Sequence, residues 1–163
     1  LWLLGKGSNP NDIDGVTLRE AVKREPIASI LIAAGLNPWV NTASKGQPYV
    51  PLFKTLIDNN VTLATAARHR ILQRFLNAGM SKSGPDGRDI VTECCNTPIG
   101  LLMIERLAMH FGNDIKEELN KNRDLILKKY KRKDFQTRVM IEQVMMEAQT
   151  LNVSNIHKKA ARL

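Results

Sequence analysis

Two adjacent cysteines and three histidines are the residues of this chain with the clearest potential for chemistry. Cys94 or Cys95 would act as a nucleophile if His69 or His110 lay close enough to accept the thiol proton. The alternative is that Cys94 fills a core position on a short helix and Cys95 has no chemical role. We favour this alternative, because buried free cysteines are common. Neighbouring cysteines cannot join distant segments, so the pair favours a reducing, intracellular compartment.

Other catalytic or cofactor-binding patterns do not occur in the sequence. The histidines His69, His110 and His157 stand outside H-E-x-x-H or any cluster with metal-ligand spacing. The stretch from Gly5 to Ser8 lacks the upstream glycine of a phosphate-binding loop, and the end of a helix explains it better. We therefore expect no enzyme activity, no metal, no cofactor and no small-molecule substrate.

The densest run of charge is a basic stretch near the C-terminal end, formed by Lys128, Lys129, Lys131, Arg132 and Lys133. The net charge is +8, and residues 116–163 hold 12 basic residues against 6 acidic ones. Such a run is typical of a nuclear-import signal or of a patch for nucleic acid or an anionic membrane. A solvated turn between two helices is the simpler interpretation, and we favour it.

The elements that position these residues follow a recurring pattern. An apolar run followed by Gly-x-Asn-Pro occurs at Gly7 to Pro10 and again at Gly35 to Pro38. Each copy predicts a helix that ends at its glycine, because glycine adopts the left-handed conformation that closes a helix. The proline that follows cannot continue the helix. The two glycines lie 28 residues apart, and recurrence at this spacing is typical of tandem structural repeats.

The rest of the chain repeats an order of short helix, turn, second helix, glycine and outward loop. Thr17 is a candidate N-cap for the first short helix, and the interval from Asp14 to Pro26 returns as Asp86 to Pro98. Between these units the pattern predicts a short helix over 51–57 and an amphipathic helix over 66–78 that ends at Gly79. A longer helix over 98–111 is predicted to end at Gly112. With aromatic residues at only 5%, such helices suit the composition better than a β-sandwich does.

These units resemble the ankyrin repeat. The family pattern D-x-x-G-x-T-P-L-H-x-A, followed by an apolar helix and L-L-x-x-G-A-D-P-N, is similar to Asp12 to Ala21 and to Leu3 to Asn11. The proline of the signature is missing after Thr17, and the later glycines are unevenly spaced, so we expect degenerate repeats. A generic helical-hairpin solenoid is the alternative.

The resemblance implies an all-α fold with two parts. Residues 1–114 are expected to form an ankyrin-like helical-hairpin solenoid, and residues 115–163 a C-terminal helical extension. Two helices over 114–129 and 134–151 are predicted to form a two-helix cap over the open end of the stack.

The resemblance also implies a non-catalytic protein–protein interaction module with a concave binding face of outward loops and short helices. The candidate contacts are Trp39, Lys45, Tyr49 and Lys82 on loops, and Arg19, Lys23, Lys54, Asp58, Asp89 and Glu93 on short helices. An exposed Trp39 would be a strong contact point. The alternative, which we favour, is that Trp39 folds back over the base of its loop.

The chain begins inside an apolar run without an initiating Met, and we expect it to be part of a longer intracellular, cytoplasmic protein. Degenerate ankyrin-like repeats followed by helical extensions are similar to bacterial effectors, which would act in the host-cell cytoplasm or nucleus. The alternative function is a basic helical module that binds nucleic acid or an anionic membrane through its C-terminal tail. The sequence does not identify the partner.

Overall fold

The computed structural model describes residues 4–130, together with residues 142 and 146. The helices are α1 (Gly15–Val22), α2 (Glu25–Ala33), α3 (Lys54–Ile57), α4 (Thr65–Asn77), α5 (Ile90–Cys95), α6 (Pro98–Leu101), α7 (Ile104–Phe111), α8 (Lys116–Lys121) and α9 (Arg123–Tyr130). Short 3₁₀ turns lie at Leu4–Lys6, Pro10–Asp12, Pro85–Gly87 and Gly112–Ile115. β structure in the described ranges is limited to two antiparallel pairings, Asn41 with Pro51 and Ser83 with Asp89. The all-α prediction is confirmed for this part of the chain.

One hydrophobic core runs from α1 to α9. Helix α2 packs against α1 and α4, α3 packs against α4 and α6, and α5 packs against α6, α7 and α8. The predicted inward stripe of α4 is confirmed, since its apolar positions Ile71, Leu72, Phe75 and Leu76 are all buried. Burying one such side chain contributes about 1.5–3 kcal/mol to folding. No helix of the described residues is long and apolar enough to cross a membrane.

Helices α1 and α5 begin in the same way. The Asp14 carboxylate accepts hydrogen bonds from the Thr17 amide at 2.9 Å and from the Thr17 hydroxyl at 2.6 Å. Asp89 accepts from the Thr92 amide at 2.7 Å and from the Thr92 hydroxyl at 2.8 Å. The prediction that Thr17 caps α1 is wrong. The N-cap is Asp14, whose carboxylate accepts from the Thr17 amide in the first turn of the helix. The counterpart of Asp14 is therefore Asp89 and not Asp86.

Helices α2 and α4 end in the same way. Gly35 and Gly79 have φ of +96° and +93°. The amide after each glycine, in Leu36 and Met80, donates to the carbonyl five residues earlier at 3.0 Å. This arrangement satisfies carbonyls that a helix end leaves unpaired, and it places a buried apolar side chain just beyond the helix. The two helix ends predicted from the glycines are confirmed.

Three segments share one local arrangement that begins at a glycine with positive φ, namely Gly7, Gly35 and Gly79. Two residues after each glycine, a polar side chain accepts a hydrogen bond from the amide two positions further on. These side chains belong to Asn9, Asn37 and Ser81, and their hydrogen bonds measure 3.0, 3.0 and 3.2 Å. We call these three segments the junctions. The third junction has serine in place of asparagine and no proline, which is why the sequence pattern did not reveal it.

Each junction is hydrogen-bonded to the next. Asn11 of the first junction donates to the Gly35 carbonyl at 3.0 Å and accepts from the Asn37 amide at 2.6 Å. Trp39 of the second junction donates from its indole Nε1 to the Ser81 carbonyl at 2.9 Å. In both cases the linking side chain lies two residues after the polar turn residue. The three junctions are thus connected in chain order.

Two predicted long helices are interrupted. The helix expected over 98–111 is divided into α6 and α7 by a turn at Leu102 and Met103, and Leu102 is exposed rather than buried. The helix expected over 114–129 is divided into α8 and α9 at Asn122. The Asn122 side chain donates to the Glu118 carbonyl at 2.8 Å and to the Thr92 hydroxyl at 3.0 Å, so it ends α8 and ties it to α5. Apart from residues 142 and 146, the helix predicted over 134–151 lies outside the described residues.

Candidate protein-binding face

Two outward loops follow the second and third junctions. The first loop, residues 37–53, carries the Asn41–Pro51 pairing, and the second loop, residues 81–89, carries the Ser83–Asp89 pairing. We define the finger face as these two loops together with the short helices α1, α3 and α5. The protein-binding candidates from the sequence lie on these elements, except Lys23 and Asp58, which directly follow α1 and α3.

Trp39 is not an exposed contact residue. Its side chain is only 5% exposed, and its ring meets the Phe53 ring edge-on with centroids 4.7 Å apart. A β-carbon added to Gly84 would lie 2.1 Å from the indole, so the second loop closes directly over it. The favoured interpretation, that Trp39 folds back over the base of its loop, is confirmed, and the candidate role of Trp39 as an exposed contact is wrong. The indole is buried and donates its N–H to the Ser81 carbonyl.

Tyr49 and Arg88 connect the two loops. The Tyr49 hydroxyl donates to the Trp39 carbonyl, and the Arg88 guanidinium lies 5.1 Å from the centre of the Tyr49 ring. Arg88 also pairs with Glu93 of α5 at 3.1 Å. Partial burial raises the pKa of the Tyr49 phenol, although the nearby Arg88 cation opposes this shift. The cluster fixes the relative positions of both loops and leaves Tyr49 half-buried.

The lysines of the two loops differ in their surroundings. Lys45 is exposed at the far end of the first loop. Lys82 of the second loop is partly buried and lies 3.1 Å from a carboxylate oxygen of Glu118 on α8. Lys82 therefore has a structural contact with the C-terminal helices, whereas Lys45 faces solvent.

The candidates on the short helices are partly buried. Arg19 lies on α1, and Lys23, the residue directly after α1, pairs with Glu20 at 2.6 Å. Lys54 opens α3 and Asp58 ends it, and the Asp58 carboxylate accepts from the Asn60 amide at 2.8 Å. Of the remaining candidates, Asp89 caps the N-terminus of α5 and Glu93 forms the ion pair with Arg88.

The basic stretch is described only at its beginning. Lys128 and Lys129 are exposed in the last turn of α9. The residues Lys131, Arg132 and Lys133 lie outside the described part of the chain. Cations at the end of a helix interact favourably with its dipole.

The two cysteines are buried, with Cys94 1% and Cys95 5% exposed. Burial raises the pKa of both thiols, that of Cys95 to about 12. A thiol needs a lowered pKa and access to its substrate to act as a nucleophile, and neither cysteine has these properties. No group of three or more His, Cys, Asp or Glu within the described residues is arranged to hold a metal ion.

Sequence reasoning missed a buried arginine. Arg68 on α4 is 1% exposed and donates to the carbonyls of Leu56, Asp58, Val61 and Leu63. These carbonyls belong to the end of α3 and the loop that leads to α4. Arg68 occupies the first position of the apolar stripe of α4. A charged residue at a position where the stripe calls for an apolar one was the sequence signal that could have indicated a buried arginine.

Sequence reasoning also missed a groove of about 480 Å³ between α4 and α7. Its lining includes His69, Gln73, Leu102, Arg106 and Met109. Arg106 reaches across from α7 and donates to His69 Nδ1 at 3.2 Å and to Gln73 Oε1 at 2.8 Å. Burial and the Arg106 cation lower the pKa of His69.

Comparison of the chain with protein-family models, with curated proteins and with solved structures gives no match.

Proposed function

We propose that this chain is a non-catalytic protein-binding module built as an ankyrin-like helical-hairpin solenoid, with the helices after residue 114 closing one end. The proposal extends to an intracellular location. The binding surface is the finger face, and its partner is another protein.

The connected junctions are the observation that carries this proposal. The three junctions share a glycine with positive φ and an equivalent side-chain hydrogen bond, and side chains of the first two reach the backbone of the next. In a stack of repeats each unit contacts its neighbours through equivalent positions. Because these contacts fix the loops before any partner arrives, little conformational entropy is lost when a partner binds.

Exposed charge on the finger face supports it as the contact surface. Lys45 stands in solvent at the end of the first loop, and Arg19 on α1 and Lys54 on α3 are partly exposed. The Tyr49–Arg88 contact connects the two loops. Aromatic and arginine side chains in such settings are frequent contributors to binding energy.

The burial of both cysteines favours the non-catalytic form of the proposal. With raised pKa values and closed surroundings, Cys94 and Cys95 are suited to packing in the core.

The test is affinity enrichment with three charge-reversed variants of the full chain. The face variant carries Arg19→Glu, Lys45→Glu and Lys54→Glu. The control variant carries the same change of charge at the exposed residues Arg24, Arg74 and Arg123, which lie outside the two loops and the three short helices. We expect the face variant to bind its partner at least tenfold more weakly, a loss of about 1.4 kcal/mol in binding free energy, and the control variant to bind as the parent does. Equal losses in both variants would contradict the proposal.

A second candidate function rests on Lys128 and Lys129, whose exposure at the end of α9 fits binding to an anionic polymer or membrane. The third variant, Lys128→Glu with Lys129→Glu, addresses it. Binding to duplex DNA or to anionic vesicles through phosphates would fall steeply as salt rises and would be lost in this variant alone. Binding through the finger face would survive the Lys128→Glu with Lys129→Glu variant.

A further inference from the structure

The contact between α4 and α7 contains a histidine that must remain neutral. His69 Nδ1 accepts a hydrogen bond from Arg106 Nε at 3.2 Å. An imidazole nitrogen can accept only when it carries no proton, so the proton of the neutral ring lies on Nε2. The same guanidinium donates to Gln73 Oε1 at 2.8 Å, so Arg106 holds two side chains of α4 at once.

The charged surroundings of His69 favour the neutral ring. From α7, Arg106 opposes protonation and Glu105 favours it, with His110 lining the same groove. The other charged residues of the helices packed on α4 are Glu25 of α2, which Arg70 holds at 2.8 Å, and Lys54 of α3. The pKa of His69 is lowered mainly by partial burial of the imidazole, and the Arg106 cation adds to this effect.

We propose that His69 and Arg106 form an acid-sensitive contact between two neighbouring helical units, closed while the imidazole is neutral and opened when it is protonated. Protonation removes the lone pair that accepts the Arg106 hydrogen bond and places two cations within about 3 Å of each other. Arg106 then moves away from His69 and releases Gln73. The groove between α4 and α7 widens, and the two units lose a direct polar connection.

The direction of the pH effect follows from the two states of the chain. At pH values above about 6.5 the imidazole is neutral whether the chain is folded or unfolded, and the contact contributes fully. As pH falls below this value the unfolded chain takes up the proton before the folded chain does. The stability supplied by the contact is therefore lost on acidification. This regulation goes beyond the proposed protein binding, and it can be tested without any partner.

The first test is an NMR titration of the histidine side chains in the intact chain. We expect His69 to carry its proton on Nε2 at neutral pH and to titrate below the ordinary range of about 6.5. In the Arg106→Gln variant, which keeps a hydrogen-bond donor but removes the charge, its pKa should rise. A His69 that titrates in the ordinary range, or that does not respond to Arg106→Gln, would overturn the proposal.

The second test is urea unfolding at about pH 7.5 and about pH 5, a range that brackets histidine titration. The variant His69→Gln retains an acceptor for Arg106 without a titrating ring. The matched control is His110→Gln, an exposed histidine that lines the same groove. We expect the parent and His110→Gln to lose the same factor in folding constant on acidification, and His69→Gln to lose clearly less. An equal loss in all three proteins would overturn the proposal.

Discussion

Arg68 is the residue on which the loop between α3 and α4 depends. Its guanidinium donates to four backbone carbonyls in a segment that has little regular secondary structure of its own. Burial lowers its pKa, yet an arginine remains charged at any ordinary pH. The charge is tolerated because the guanidinium hydrogen-bonds to four carbonyl dipoles, of which that of Asp58 also accepts from the Val61 amide at 3.3 Å.

Replacing Arg68 with Met should destabilise the fold by about 3 kcal/mol or more, because several buried carbonyls lose a charged donor. Arg68→Lys should recover only part of this loss, since one ammonium group cannot span the same carbonyls. The matched control is Arg74→Met on the same helix, where an exposed side chain should cost about 0.5 kcal/mol or less. Urea denaturation measures all three, and equal stabilities for Arg68→Met and Arg74→Met would contradict this role.

The cysteines provide a second prediction at the residue scale. With its pKa raised to about 12 by burial, Cys95 is ionised in about one molecule in ten thousand at pH 8. Iodoacetamide should therefore label neither Cys94 nor Cys95 in the folded chain on a timescale that labels both in urea. Rapid labelling of either thiol under native conditions, followed by mass spectrometry, would restore the hypothesis of a reactive cysteine.

At the scale of helices, the sequence was sufficient to predict the structure wherever one residue type determines the local geometry. Gly35 and Gly79 marked two helix ends correctly, and the apolar spacing of α4 identified its buried side. Prediction from the sequence was insufficient where contacts between distant segments determine where a helix ends or what covers a side chain. The break between α8 and α9 depends on an Asn122 hydrogen bond to α5. The burial of Trp39 was the favoured interpretation, but the sequence did not reveal that a loop more than forty residues further along the chain covers its ring.

The two glycine helix ends should be equivalent in energy. Both glycines have positive φ, and a β-carbon added to either meets no atom within 4 Å, so only backbone strain opposes alanine. Gly35→Ala and Gly79→Ala should each cost about 1–2 kcal/mol. Gly5→Ala is the control, because Gly5 has open space without positive φ and should tolerate alanine. Costs that differ widely between Gly35 and Gly79 in thermal or urea unfolding would contradict the equivalence of the junctions.

The second loop should depend on the space that Gly84 leaves for Trp39. An alanine β-carbon there would lie 2.1 Å from the indole, so Gly84→Ala should destabilise the fold by about 1–3 kcal/mol. The displaced indole should become more exposed to solvent, which a red shift of tryptophan fluorescence reports. An unchanged melting temperature together with an unchanged emission maximum would place Trp39 elsewhere.

At the scale of the whole molecule, the finger face and the basic tail belong to different regions of the chain. The finger face combines two connected loops with three short helices, and its charges are of both signs. The tail concentrates basic residues after α9 begins. A partner bound by shape and mixed polar contacts would use the former, whereas a polyanion would use the latter.

Site-specific photo-crosslinking tests the central claim, protein binding through the finger face, most directly. A photoreactive amino acid is introduced singly at Lys45 on the first loop, at Arg74 on α4 and at Lys128 on α9, all exposed positions. Our account predicts a protein adduct from position 45 and none from position 74 or 128. Adducts that form only from position 74 or position 128, with position 45 unreactive, would contradict it.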